Sequence, residues 1–155
     1  METMTPVFFY HLERQPLDAV LPKMLATSLE RGWRVVVQSA SEERAEAIAA
    51  QLWSHDEEGF LPHGTKADGF ADLQPIWLTA EADNPNDANV RFFVDGAEVG
   101  DIGGLTRAVI MFDGNDADAV AAARAGWKRL KAAGHEVSYY QQDEQGRWVN
   151  RAAAK

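Results

Sequence analysis

VFFYHLERQPLDAVLPKMLATSLERGWRVVVQ, residues 7–38, decides the fold. Val7–His11 is a short apolar-aromatic run and reads as a strand. Pro16 then opens a helix, at an early position where its missing N–H costs little. Leu17, Val20, Leu21, Met24, Leu25 and Leu29 recur at helical spacing through Arg31, and Gly32 stops the helix. Pro22 lies inside that span, either within a first turn that starts later or as a kink. Trp33–Gln38 is rich in β-branched residues and reads as a buried strand. A further helix runs to about Trp53. Two serines are candidate caps for it. Ser39 has Glu42 three residues on and fits a capping box, whereas Ser41 has Arg44 there and does not. This β-α-β-α order predicts a parallel sheet with helical crossovers.

The rest of the chain continues that pattern. Residues 55–72 (HDEEGFLPHGTKADGFAD) have loop chemistry, yet Phe60, Leu61 and Phe70 make the stretch too apolar for plain disorder. Pro75–Thr79, Val90–Val94, Arg107–Phe112 and Glu136–Gln142 read as strands, with an acidic turn at Glu81–Asn89 and a glycine-rich loop at Asp95–Gly104. Gly146–Lys155 reads as a polar tail. The expectation is one α/β domain over residues 1–155. It has three layers, α/β/α, and a mostly parallel, mixed central sheet. The fold is Rossmann-like but lacks the dinucleotide fingerprint, since Leu12-Glu13-Arg14-Gln15 after the first strand holds no glycine.

Composition narrows the function classes. The 155 residues carry a net charge of −9, which opposes general nucleic-acid binding. The charge is uneven. Acid gathers in Glu42–Glu58 and Glu81–Asp101, and base in Arg124–Lys131 with Arg147, Arg151 and Lys155. The chain has no cysteine, so it holds no disulfide and no thiolate chemistry. No apolar run approaches the ~20 residues of a membrane span. METMTPVFFYHL lacks the features of a signal peptide, so the expected location is the cytoplasm. Gly100, Gly103 and Gly104 form no Walker loop, and no serine sits in a nucleophile elbow. His55 and His63, with Asp56, Glu57 and Glu58 between, have no recognised zinc spacing, and a solvated acidic loop is the plainer reading. Neither a cofactor nor a metal is expected.

The most informative single element is residues 116–134, DADAVAAARAGWKRLKAAG. At helical spacing, Ala119, Ala122, Gly126, Leu130 and Ala133 fall on one side, small enough to lie against a sheet. Val120, Arg124, Trp127, Lys128 and Lys131 fall on the other, with Trp127 pointing away from the core. No acid follows Asp118 on the helix to neutralise the cations. An exposed tryptophan among cations is a docking face for a ligand both apolar and anionic. The alternative is that a loop or the C-terminal tail covers Trp127.

Several stretches taken together resemble one family. They are VFFYHL at the N-terminus, Arg31-Gly32-Trp33-Arg34-Val35-Val36-Val37, and Leu52-Trp53 followed by Gly59-Phe60-Leu61-Pro62-His63-Gly64. Gln74-Pro75-Ile76-Trp77-Leu78, Ala123-Arg124-Ala125-Gly126-Trp127-Lys128, Ala133-Gly134-His135 and Gly146-Arg147-Trp148 complete the set. In that order they resemble the chi subunit of bacterial DNA polymerase III holoenzyme. The resemblance implies a non-enzymatic subunit of the clamp-loader assembly, working in DNA replication. It implies two partners, the acidic C-terminal tail of the single-stranded-DNA-binding protein and the small subunit psi that leads to the clamp loader. A helicase is a further implied partner on the psi surface. Carried over by motif, the tail site falls on Arg124, Trp127 and Lys128, with Lys131 as a further basic position. The psi surface falls on Trp53, Phe60, Leu61, Pro62 and His63. The competing class is a nucleotide-binding α/β enzyme or another nucleic-acid-processing adaptor.

Overall fold

The computed structural model describes residues 5–55 and 62–151. One sheet contains β1 (Val7–Leu12), β2 (Val35–Gln38), β3 (His63–Gly64), β4 (Ile76–Thr79), β5 (Val90–Phe93), β6 (Arg107–Asp113), β7 (Val137–Gln142) and β8 (Trp148–Asn150). The helices are α1 (Leu17–Glu30), α2 (Glu42–His55) and α3 (Ala117–Ala132). The strand order is β3-β4-β2-β5-β6-β1-β7-β8. Every pair is parallel except β7 with β8. β2, β4 and β5 are buried along their whole length. That is why they are mostly apolar on both faces rather than alternating, as covered strands are, with Arg91 of β5 the charged exception.

Alternate residues of β6 show the layering. Val109 and Met111 join the core beneath α1 and α2, whereas Ala108, Ile110 and Phe112 join a second core beneath α3. β1 lies beside β6. The chain leaves β1 for α1 on one face and leaves β6 for α3 on the other. The gap between these two strands is therefore a topological switch point, at the carboxyl ends of the strands.

Four local expectations change. The supposed polar tail contains β8, whose Trp148 packs edge-on against Tyr10 at 5.0 Å between ring centroids. The long loop after α2 contains β3 and a short 3-10 turn, Ala71–Leu73. α1 runs straight through Pro22, which is buried, and Pro16 stands outside the helix as its cap. Packing of the proline ring in the core offsets the one backbone hydrogen bond it forfeits. The cap of α2 is Ser41, whose Oγ accepts from the Arg44 N–H at 3.2 Å. Ser39 instead donates to the Ser41 carbonyl, and Glu42 accepts from the Ala80 N–H. With its carboxylate drawn to β4, Glu42 cannot close a capping box.

The acidic turn before β5 is organised by a buried cation. Arg91 donates to Gln38 Oε1 and to the carbonyls of Asp83 and Glu81. Burial lowers its pKa, with the Asp83 charge opposing.

Candidate functional site

α3 is defined sharply at both ends. Asp116 Oδ1 accepts from the N–H groups of Asp118 and Ala119, at 3.0 and 3.4 Å. At the other end Gly134 takes a left-handed φ of +100°, with Gly134 N–H bonded to the Lys131 carbonyl and His135 N–H to the Leu130 carbonyl. Those two bonds form a Schellman stop, the role expected of that glycine.

The rotation of α3 differs from the sequence expectation. Its buried stripe is Ala123 and Leu130, flanked by half-buried Ala119 and Gly126 on one side and Val120 and Trp127 on the other. Ala122 and Ala133 are exposed. Trp127 does not point away from the core but packs against it, as does Val120. The stripe lies roughly 60° round from the one drawn through the small residues, at about 100° per residue. The cause is area. Trp and Val bring far more apolar surface to bury than alanine does, so they set the angle.

Arg124, Lys128 and Lys131 are exposed, and none forms an ion pair among the described residues. Lys131 Nζ sits 4.6 Å from the centroid of the Trp127 ring, a cation–π contact. The Trp127 Nε1–H is buried and finds no acceptor among the described residues. Tyr139 and Val137 on β7 lie half-buried against the same core. Burial raises the pKa of Tyr139, and the nearby Arg124 charge opposes the rise. The Tyr139 hydroxyl is 2.7 Å from His11 Nδ1. The flank thus combines a half-buried aromatic surface with three exposed cations that form no ion pair among the described residues. Tyr139 was missed in the sequence because it lies on another element. Its even spacing from Val137 along β7 was the available signal.

The second predicted surface comes out differently. Trp53 lies in the last turn of α2. Phe60 and Leu61 lie outside the described residues. Pro62 is half-buried. His63 is not a surface residue: it is 5% exposed on β3, and its Nε2 is 3.1 Å from the Ala49 carbonyl of α2. That contact makes it a core histidine. Among the described residues, the large apolar side chains that stand exposed are Phe70 and Leu73, at 72% and 67%. Phe70 also holds a left-handed φ of 54°. An apolar residue in a Gly/Asp-rich segment was the sequence sign of this.

A model of the family described as "DNA polymerase III chi subunit, HolC" matches residues 4–138. The chain belongs to this family. A curated relative, "Probable DNA polymerase III subunit chi" of Rickettsia prowazekii (strain Madrid E), is 25% identical over 93 residues. That match covers 60% of this chain and 56% of the relative, little more than half its length. The chi-family match takes in all of α3 and the whole segment from Pro62 to Leu73. It ends one residue short of Tyr139, so that ring and β8 lie beyond it. No helix among the described residues is long and apolar enough to cross a membrane.

Proposed function

We propose that this chi-family chain is a non-catalytic accessory subunit of the polymerase III assembly whose α3 binds the acidic C-terminal tail of the single-stranded-DNA-binding protein. The observation that carries this is the row Arg124, Lys128 and Lys131, exposed and without an ion pair among the described residues, beside a half-buried Trp127. Unpaired cations beside an aromatic surface suit a ligand with carboxylates and a terminal ring. The tail's phenylalanine packs on the accessible parts of Val120, Trp127 and Tyr139. Arg124 and Lys128 pair with its carboxylate and acidic side chains, and Lys131 adds attraction at longer range. Because Trp127 is part of the core, it forms a fixed wall, and the cations carry the selectivity. A nucleotide-binding enzyme is less well supported, since the β1–α1 turn at the switch point offers no glycine to a phosphate.

The test is titration of a fluorescent acidic peptide ending in phenylalanine with a free carboxylate. Arg124→Glu and Lys128→Glu should each weaken binding tenfold or more, about 1.4 kcal/mol, without lowering the melting temperature. Amidating the terminal carboxylate should do similar damage. Wild-type affinity for both variants would refute the site.

A second surface, for psi and through it the clamp loader, or for a helicase, is supported by the exposure of Phe70 and Leu73. Trp53, Phe60 and Leu61 belong to this proposal through the family motif.

A further inference from the structure

The flank of α3 opposite the cations borders a large open crevice. It lies at the switch point between β1 and β6, over the carboxyl ends of β1, β5 and β6, and has a volume of about 1140 Å³. Phe9 and Phe93 beneath it are closed, at 1% exposed, and its accessible apolar surface comes from Leu17, Ala97 and Val99, while Ala119, Ala122 and Gly126 of α3 form a wall with little side chain to obstruct approach. Small-molecule pockets run to about 300–1,000 Å³, so the space suits a peptide segment. The rim is acidic. Glu13, Asp18, Glu98, Asp113, Asp116 and Asp118 border it, against Arg14 and Arg129. The remaining rim pair neutralises itself, with Arg44 Nη2 2.7 Å from Asp95 Oδ2.

We propose that this crevice is a second peptide-binding groove, which takes a basic segment of a partner protein with an apolar side chain against its partly exposed aliphatic lining. The charge of the rim selects the occupant. A phosphate-bearing ligand or an acidic tail meets repulsion there, whereas lysine and arginine side chains meet carboxylates on both walls. Placement at the switch point gives the occupant an aliphatic lining, Leu17, Ala97 and Val99, that an acidic surface patch alone lacks. The groove is independent of the cationic flank, from which the buried stripe of α3 separates it.

The probe is a labelled twelve-residue peptide alternating lysine with leucine and tryptophan, compared with the same peptide carrying glutamate for lysine. The basic peptide should bind the full chain and the acidic one should not bind the groove. Ala122→Arg, at an exposed position on the wall, should weaken basic-peptide binding at least tenfold, and Glu98→Lys severalfold. Glu46→Lys, an exposed acid on α2 away from the crevice, should leave it unchanged. Binding of the acidic phenylalanine-ended peptide should survive Ala122→Arg, so that failure of the groove and failure of the tail site are told apart. The proposal is overturned if Ala122→Arg binds the basic peptide like wild type. It is equally overturned if Glu46→Lys weakens binding as much as Glu98→Lys, since the attraction would then belong to the acidic body at large.

Discussion

The two flanks of α3 share one buried stripe and differ in almost everything else. On the Trp127 side, large half-buried side chains reach the core and exposed cations stand beyond them. On the Gly126 side, small residues cover the closed sheet thinly and border a crevice rimmed by acid. One helix therefore has a tightly packed flank and an underfilled one. Stability should come from the first and room for a ligand from the second.

Three substitutions test this contrast. The largest effect is expected at Trp127. Trp127→Ala should cost about 2–4 kcal/mol in urea unfolding, less than for a fully buried tryptophan, because its ring packs against the second core. Tail-peptide affinity then has to be read under conditions where the variant is folded. A melting temperature like that of wild type would mean that the flank is not packed as described. Gly126→Ala should act in the opposite direction. An added Cβ would sit 3.8 Å from Phe9 Cζ, an ordinary contact, and alanine favours a helix interior. A gain of up to about 1 kcal/mol is expected, visible as a raised melting temperature. A loss would mean that the crevice flank is already full. The smallest effect is on titration. Burial raises the Tyr139 pKa and Arg124 holds it back, so Arg124→Ala should move the phenol's ultraviolet titration further toward alkaline pH. The sign for stability follows. With its folded pKa above the unfolded value, Tyr139 contributes in full below about pH 10, and that contribution is lost as pH rises through the folded pKa. An unshifted titration in Arg124→Ala would place the guanidinium away from the ring.

The parts of the fold legible in the sequence were those with strong local signals. β2 and β4 are continuous apolar runs, and α3 has an aspartate cap and a glycine stop. β3 and β8 were illegible because two or three residues hold no periodicity, and they become strands only by pairing with β4 and β7. The cations of α3 were readable because charge seeks water whatever the tertiary context. The direction of Trp127 was not readable, because a helix made mostly of alanine leaves its own rotation undetermined. His63 went inward because the Ala49 carbonyl was there to meet it, a partner fourteen residues away that no spacing rule announces. Phe70 stayed outside through a left-handed backbone that sequence does not declare.

The ends of the sheet bear on how such a molecule lives among many copies of itself. β3 has two residues and β8 has three. Neither border offers a length of unsatisfied backbone on which a neighbouring chain could zip. The molecule thus presents only short strand edges to neighbouring copies, which disfavours fusion of their sheets. Its company is chosen by side chains, through charge and shape, and not by the indiscriminate adhesion of bare peptide groups.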